Sequence, residues 1–314
     1  MGQDAILRAI ANRAGRSVQA AARRVSNPPR VGNPPHMLIA PGLEIGGGAP
    51  LALIAGPCVM ESEEHVRFLA SELSKVQAPW VFKASFDKAN RSSVNSYRGP
   101  GLREGVRILK TVRARGIPVL TDIHEPAQAE VAAEAADILQ IPAFLCRQTD
   151  LLVAAGRTGR AVNIKKGQFV SPYEIRLAAE KVASTGNNRI LLTERGSSFG
   201  YNNLVVDMRA IPMMRAFGCP VIFDATHSVQ LPGAAGTASG GQPEFIEPLA
   251  SAAVAAGVDG VFLEVHEAPE RALSDGANAL RLGKLPGLWA KLQRICSAAR
   301  VEFVSPPAAS SGRG

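Results

Sequence analysis

The stretch PVLTDIHEPAQAEVAAEAADILQIPA, residues 118–143, contains the pattern that decides the fold. Its two ends, 118–123 and 138–143, are short apolar runs, and the residues between them, 126–136, have the pattern of a helix. Each apolar run is nearly continuous until its last residues, which is typical of a strand buried on both faces of a parallel sheet. The stretch therefore predicts a strand, a helix and a second strand.

The same unit recurs along most of the chain. Six further apolar runs have this character: 51–57, 80–86, 161–166, 190–195, 221–226 and 260–265. Helical stretches separate them at 62–76, 101–116, 171–186 and 243–257, and a last helical region at about 279–303 follows the eighth run. Eight strand–helix units predict an α/β fold, a (β/α)8 TIM barrel formed by a single domain over 37–303.

Polar residues at the strand ends favour a closed barrel over a doubly wound open sheet, which periodicity alone leaves open. Such residues stand at or just after each apolar run: Cys58, Lys83, Asp122, Gln140, Lys165, Arg195, Asp224, His227 and Glu264. In a barrel the carboxyl ends of all strands share one rim, where active sites form. An open sheet would place the outermost of these residues far apart.

The basic character of the chain belongs mostly to its first residues. The formal net charge is +8, but residues 1–36 hold six arginines and one acid and so contribute five of these charges. We expect 1–36 to be a disordered basic extension, either like an organellar transit peptide or a start-site extension ahead of Met37. Residues 304–314 are expected to be a disordered tail.

The composition argues against nucleic-acid and membrane partners and favours a cytoplasmic location. Outside 1–36 the net charge is only +3 and the chain is 5% aromatic, which argues against a nucleic-acid partner. No apolar run is long enough to cross a bilayer, so no membrane partner is expected. The four cysteines are far apart with no CxxC pair, and no secretory signal is visible. These features predict that the protein is located in a reducing cytoplasm.

Four possible metal ligands lie at the ends of neighbouring strands. Cys58 ends the first strand, His227 follows the seventh, Glu264 ends the eighth and Asp275 lies in the next loop. A thiolate, an imidazole and two carboxylates suit one divalent ion such as zinc, iron, manganese or cobalt. The alternative is a buried cysteine, a histidine bonded to backbone and two surface acids.

Cationic side chains at the same rim indicate an anionic ligand. Lys83, Lys165 and Arg195 end three apolar strands, where an unpaired charge is costly to bury. Lys88, Arg91 and Arg98 extend the basic region, and neither a P-loop nor a GxGxxG motif is present, so we expect small phosphorylated substrates. The alternative is ion pairing with Asp122, Glu194 and Asp224. The glycine-rich 231–241 is either a movable lid or a solvated loop.

Seven segments, in this order, resemble the 3-deoxy-D-manno-octulosonate 8-phosphate synthases over 37–303. They are IAGPCVMES (54–62), FKASFDKANRSS (82–93), TDIHE (121–125), QIPAFLCRQTD (140–150), NIKKGQF (163–169), FDATHSVQLPG (223–233) and FLEVHEAPERALSDG (262–276). The resemblance implies a (β/α)8 barrel enzyme that condenses phosphoenolpyruvate with D-arabinose 5-phosphate and water, releasing inorganic phosphate. The product is a precursor of lipopolysaccharide.

The resemblance also implies roles for individual residues. Cys58, in place of an asparagine, indicates the metal-dependent class, with His227, Glu264 and Asp275 as the other ligands. Phosphoenolpyruvate would be held by Lys83, Ser85, Lys88, Gln140, Lys165 and Arg195. The sugar phosphate would be held by Asn90, Arg91 and Ser92, with Arg147 reaching across from a neighbouring subunit of a homotetramer. His227 and His124 are candidates for proton transfer, and Asp122 for orienting them or the water.

Two other enzyme classes remain as alternatives. The related heptulosonate synthases use erythrose 4-phosphate, but they have KPRTS where this chain has KANRSS, with Asn90 in that pattern. A Schiff-base aldolase would use Lys165 or Lys83 as its amine. The choice of aldose phosphate and borohydride trapping distinguish these alternatives from the octulosonate phosphate synthase reaction.

Overall fold

The computed structural model describes residues 36–89, 93–235 and 238–300. Eight parallel strands form its central sheet: β1 (Ala52–Gly56), β2 (Trp80–Lys83), β3 (Val119–Asp122), β4 (Ile138–Ile141), β5 (Ala161–Lys165), β6 (Ile190–Glu194), β7 (Val221–Asp224) and β8 (Gly260–His266). Consecutive strands pair in parallel, and β8 pairs with both β7 and β1, so the sheet closes. The predicted barrel is confirmed and the open sheet is wrong.

Among the described residues, an α-helix follows each strand. The helices are α1 (Glu63–Leu73), α2 (Leu102–Arg113), α3 (Gln128–Ala133), α4 (Thr149–Arg157), α5 (Ile175–Ala183), α6 (Ala210–Arg215), α7 (Ile246–Ala255) and α8 (Leu285–Ala299). The helix predicted from 171 begins at Ile175, and in the turn before it Ser171 and Glu174 exchange side-chain hydrogen bonds with each other's backbone N–H, the pattern of a capping box. None of these helices is long and apolar enough to span a membrane.

A β-hairpin covers the amino-terminal end of the barrel. Its strands, Met37–Ala40 and Leu43–Ile45, pair antiparallel, and their buried side chains join one apolar cluster with the barrel interior. The guanidinium of Arg189, which directly precedes β6, donates hydrogen bonds to the carbonyl oxygens of Leu38 and Ile39 at 2.7 and 3.0 Å. The hairpin therefore seals one end of the barrel and leaves the carboxyl ends of the strands open.

The barrel interior changes from apolar to polar towards the carboxyl ends of the strands. The half of the interior nearer the amino-terminal hairpin is filled by residues such as Ile54, Leu120 and Phe262. Buried polar and charged side chains occupy the upper interior: Lys83, Asp122, Gln140, Asn163, Lys165, Thr193, Asp224 and Glu264. Because buried polar groups need partners, this half of the barrel holds a connected polar network.

The glycine-rich segment after β7 forms regular structure where the sequence predicted a lid or a solvated loop. Strands Gln230–Ala235 and Ala238–Gly241 pair antiparallel, and the Asn202 side-chain amide donates a hydrogen bond to the Pro232 carbonyl. Apart from His36, the predicted extension 1–36 lies outside the described residues, and so does the predicted tail 304–314.

Candidate active site

The carboxyl ends of the strands enclose a cavity of about 510 Å³. Many of the residues predicted from sequence line it together: Lys88, Asp122, His124, Gln140, Lys165, Arg195, His227 and Asp275. The hairpin after β7 contributes Gln230 and Gly233 to its wall. The cavity is therefore at the rim where the strand-end residues were expected to meet.

The four predicted metal ligands converge at one side of this cavity. One ligand atom each from Cys58, Glu264 and Asp275 lie within 4.8 Å of one another. Nε2 of His227 lies 3.6 Å from Oε2 of Glu264. The Cys58 thiol donates to Oδ2 of Asp275 at 3.2 Å, and its Sγ lies 2.9 Å from Oγ of Ser274. Residues more than 200 positions apart in the chain thus meet because β1 pairs with β8.

The chemistry of this donor set fits a divalent metal ion. Oε2 of Glu264 is buried and accepts no hydrogen bond from the described residues. Burial raises the pKa of the Cys58 thiol to about 12, and the carboxylates of Asp275 and Glu264 act in the same direction. A nearby divalent cation would reverse that balance and favour the thiolate. A thiolate, an imidazole and carboxylates are suitable ligands for zinc, iron, manganese or cobalt.

Asp224 orients His227, a role that sequence reasoning did not assign to it. Its Oδ2 lies 2.8 Å from Nδ1 of His227, and its Oδ1 accepts the His227 backbone N–H at 2.9 Å. Burial alone would raise the pKa of Asp224, but His227 and Lys165 hold it well below its usual value. Because Oδ2 of Asp224 lies beside Nδ1, the other ring nitrogen of His227, Nε2, is the one that faces the predicted metal ligand Glu264.

The strand-end lysines are paired with carboxylates. Nζ of Lys165 lies 2.6 Å from Asp224, and Nζ of Lys83 lies 2.6 Å from Oε1 of Glu264. Nζ of Lys88 lies 3.6 Å from Oδ2 of Asp122. Burial lowers the pKa of Lys165, and the charge of Asp224 opposes that effect. Lys165 and Lys88 thus have partners that the ion-pairing alternative named, whereas the partner of Lys83 is Glu264, and anion binding by these lysines stays a prediction.

Arg195 differs from the lysines because its charge has no carboxylate partner among the described residues. Its Nη2 donates to Oε1 of Gln230 at 2.7 Å, whereas its Nη1 is buried and makes no hydrogen bond there. The side chain is 3% exposed and lines the cavity. A buried guanidinium with an unused donor facing a cavity is suited to bind a phosphate or carboxylate.

Asp122 is held by a chain of hydrogen bonds that runs from Ser85, just after β2, through the four strands β3 to β6. It accepts from the Ser85 hydroxyl and from the Gln140 amide, and Gln140 in turn accepts from Asn163 at 2.8 Å. Asn163 accepts from the Thr193 hydroxyl at 2.7 Å. Burial would raise the pKa of Asp122, but Lys88 and the neighbouring lysines hold it below its usual value. Sequence reasoning did not identify Asn163 and Thr193, whose polarity inside apolar strands was the available signal.

Of the remaining predicted residues, His124 lines the cavity, Arg147 does not, and three lie outside the described residues. Nδ1 of His124 is buried and makes no hydrogen bond within the described chain, and burial lowers the pKa of this histidine. Arg147 is exposed and does not line the cavity of its own chain. Asn90, Arg91 and Ser92 lie outside the described residues.

Comparison with known proteins places this arrangement in a family. A family model described as the DAHP synthetase I family matches residues 25–298. The chain belongs to this family.

Three relatives are all named 2-dehydro-3-deoxyphosphooctonate aldolase. The protein from Syntrophotalea carbinolica is 62% identical over 256 residues, which cover 80% of this chain and 92% of the relative. The protein from Citrifermentans bemidjiense is 61% identical, covering 81% of this chain and 95% of the relative. The protein from Koribacter versatilis is 61% identical, covering 84% and 96%. The resemblance to the octulosonate phosphate synthases is thereby confirmed.

Proposed function

We propose that this protein condenses phosphoenolpyruvate with D-arabinose 5-phosphate and water to give 3-deoxy-D-manno-octulosonate 8-phosphate and inorganic phosphate. The names of relatives that are 57–62% identical support this reaction, which supplies a lipopolysaccharide precursor. The observation that carries the proposal is a cavity where four predicted metal ligands converge and where the guanidinium of Arg195 has no carboxylate partner among the described residues. Anion binding and Lewis acidity are the two capacities that this reaction needs.

We assign Cys58, His227, Glu264 and Asp275 as ligands of one divalent metal ion, of zinc, iron, manganese or cobalt. When bound, the ion supplies Lewis acidity to a substrate oxygen or to water. The support is the buried oxygen of Glu264 without a hydrogen bond from the described residues, together with the Asp224 carboxylate that turns Nε2 of His227 towards it.

In the reaction, C3 of phosphoenolpyruvate attacks the open-chain aldehyde of the sugar while water adds at C2. The hemiketal phosphate that results loses inorganic phosphate by cleavage of its C–O bond. Arg195 binds an anionic group of phosphoenolpyruvate through Nη1, and Lys165 and Lys83 are close enough to the ligand cluster to balance its negative charge. Two anionic substrates can then approach each other in the cavity.

Proton transfer is assigned to His124. Both nitrogens of His227 have other tasks, since Nδ1 faces Asp224 and Nε2 faces the metal ligands. Nδ1 of His124 makes no hydrogen bond among the described residues, and burial lowers the pKa of this ring, which favours its neutral form with a lone pair on one nitrogen. Asp122 stays ionised between Ser85, Gln140 and Lys88, so its role is to orient and not to donate a proton.

We further propose a cytoplasmic homotetramer with small phosphorylated substrates as its partners. Three consecutive loops at the rim carry exposed aromatic side chains: Phe144, Phe169, Tyr173, Phe199 and Tyr201. Exposed apolar groups of this kind mark surfaces that bind another protein. Arg147 lies in the first of these loops, where a neighbouring subunit could receive it.

The test measures phosphate release by the purified chain with phosphoenolpyruvate and each aldose phosphate. We expect release with arabinose 5-phosphate, much less with erythrose 4-phosphate, and none after metal removal by a chelator until a divalent ion is restored. Cys58→Ser should lose activity and the metal ion of this site, whereas Cys219→Ser, at a cysteine outside the cavity, should keep both. Equal or greater release with erythrose 4-phosphate would support the heptulosonate synthase alternative. Full activity of metal-free protein would exclude the metal assignment.

A further inference from the structure

The segment that follows β1 contacts the Asp275 loop (residues 268–276) at two places. At the first, the Cys58 thiol donates to Oδ2 of Asp275 at 3.2 Å. At the second, three residues further along the segment, Oε1 of Glu61 accepts the backbone N–H of Leu273 at 2.8 Å. The segment after β1 therefore supplies one proposed metal ligand and also binds the loop that carries another.

The backbone conformation of Asp275 is uncommon for a residue with a side chain. Its φ is 51°, in the left-handed region. The next residue, Gly276, lies so close to the Pro269 carbonyl that a Cβ at this position would clash with its oxygen. Conformations of this kind persist where surrounding contacts hold them. Hydrogen bonds that tie the loop to the barrel thus decide where the Asp275 carboxylate lies.

The backbone that carries Glu61 is itself held on both sides. Met60, before it, is fully buried, and its backbone N–H donates to the Ser85 carbonyl at 3.0 Å. Ser62, after it, caps α1, because its hydroxyl accepts the backbone N–H of His65 at 3.1 Å. Glu61 thus extends from a fixed point between β1 and α1 and can serve as an anchor for the loop.

The Glu61 carboxylate also faces the end of β8, the strand that carries Glu264. His266, two residues beyond Glu264, accepts the backbone N–H of Ala268 at Nδ1, so its Nε2 carries the ring proton. This Nε2 lies 3.4 Å from Oε1 of Glu61. Glu61 therefore lies where the three chain segments that supply a thiolate and two carboxylates to the proposed metal site come together.

We propose that Glu61 is a positioning residue for the metal site, which fixes the Asp275 carboxylate beside Cys58 by accepting the Leu273 N–H. This inference rests on the proposed function, because it concerns the metal ion assigned there. Glu61 does not line the cavity and is not one of the proposed ligands. Its effect is therefore on metal affinity, exerted through Asp275.

The test titrates zinc into Glu61 variants of the full chain after metal removal, followed by calorimetry. Glu61→Leu keeps most of the side-chain volume but no acceptor, and we expect zinc binding about 10–100-fold weaker. Glu61→Ala is a second variant without an acceptor and should behave alike. Glu61→Gln keeps an amide oxygen for the Leu273 N–H and should bind zinc nearly as the wild type does. Glu64→Ala, at an exposed glutamate in the first turn of α1, is the matched control and should bind as the wild type.

A double-mutant cycle separates positioning of Asp275 from a general loss of stability. Asp275→Ala should weaken zinc binding by itself. Adding Glu61→Leu to Asp275→Ala should then cost almost nothing more, because the ligand that Glu61 positions is already absent. Independent, additive losses would overturn the proposal, and so would wild-type affinity in Glu61→Leu or Glu61→Ala. Binding by Glu61→Gln as weak as that of Glu61→Leu would also contradict it.

Cobalt distinguishes failure of this inference from failure of the proposed metal site. Bound through Cys58, cobalt gives a thiolate charge-transfer band, which the wild type should show. Glu61→Leu should show the same band once enough cobalt is added to fill its weakened site, because Cys58 remains a ligand. A wild type without the band would overturn the metal assignment and this inference with it. A wild type with the band, together with unchanged affinity in Glu61→Leu, would overturn the role of Glu61 alone.

Discussion

We propose that Asp224 fixes the orientation of the His227 ring. Replacing Asp224 therefore tests the proposed metal ligation most directly. Asp224→Asn keeps the shape of the side chain but removes the charge that faces Nδ1 of His227 and Nζ of Lys165. We expect about a 10–100-fold loss of metal affinity, measured by titration with zinc, and a similar loss of activity. Asp207→Asn, which removes a surface carboxylate bonded to Arg209, is the matched control and should change neither. Wild-type affinity in Asp224→Asn would contradict this role.

The raised pKa of Cys58 makes metal binding depend on pH. With a pKa of about 12, the thiol is protonated throughout the neutral range and must release its proton to bind as thiolate. Protons therefore compete with the metal, and affinity should rise about tenfold per pH unit between pH 8 and 9.5, where an ordinary histidine is already neutral. Titrating cobalt at several pH values measures the slope. Cys58→Asn should bind weakly and without this slope; an unchanged slope would show that another group releases the proton.

Replacing His124 tests whether this residue transfers a proton, independently of metal binding. His124→Gln removes the buried ring nitrogen that has no hydrogen bond within the described chain. We expect kcat to fall about 10²–10⁴-fold with little change in metal content, because general acid–base catalysis contributes on this scale and His124 is not a ligand. Steady-state phosphate release and elemental analysis measure the two quantities. A change confined to KM would indicate that His124 binds substrate instead.

At the scale of elements, the hairpin at the amino-terminal end should contribute stability and not catalysis. Ile39 is 3% exposed and packs against the barrel interior, whereas its neighbour Leu38 is 56% exposed. Ile39→Ala should lower the free energy of unfolding by about 2–5 kcal/mol, and Leu38→Ala by no more than about 0.5 kcal/mol. Chemical denaturation measures both, and kcat of each folded variant should equal that of the wild type. Equal costs for the two variants would show that the hairpin does not seal the barrel.

The elements were largely predictable because both faces of each strand are buried. A continuous apolar run such as 190–195 identifies a buried strand wherever the strand lies, and its last residues identify the rim. The bounds of the short helices α4 and α6 were not predicted, and the segment 231–241, whose strands pair in a hairpin, was expected to be a lid or a solvated loop. Glycine-rich sequence carries no apolar periodicity, so strand pairing in that hairpin depends on contacts that sequence does not show.

Within the site, sequence indicated which residues meet but not how they pair. The positions of Cys58 and Glu264 followed from the closure of the barrel, which brings β1 beside β8. The pairing of Lys165 with Asp224 and the lack of a carboxylate partner for Arg195 among the described residues both depend on side-chain geometry. The proximity of Glu61 and His266 was not predicted either: both lie in segments that carry the resemblance, 54–62 and 262–276, but neither was assigned a role.

At the scale of the whole molecule, the position of Arg147 predicts a site shared between subunits. This residue is exposed and does not line the cavity of its own chain, and the exposed Phe144 lies in the same loop, which supports the proposal that Arg147 serves a neighbouring chain. Arg147→Ala and Lys165→Gln should each be nearly inactive alone. Dissociated, mixed and reassembled, they should regain activity, because some sites then combine an intact Lys165 from one chain with an intact Arg147 from another. Mixing two batches of Arg147→Ala is the control and should recover none. If Arg147→Ala keeps its activity, or if the mixed variants show only the sum of their separate activities, the shared site is excluded and the chain's own residues must hold the sugar phosphate.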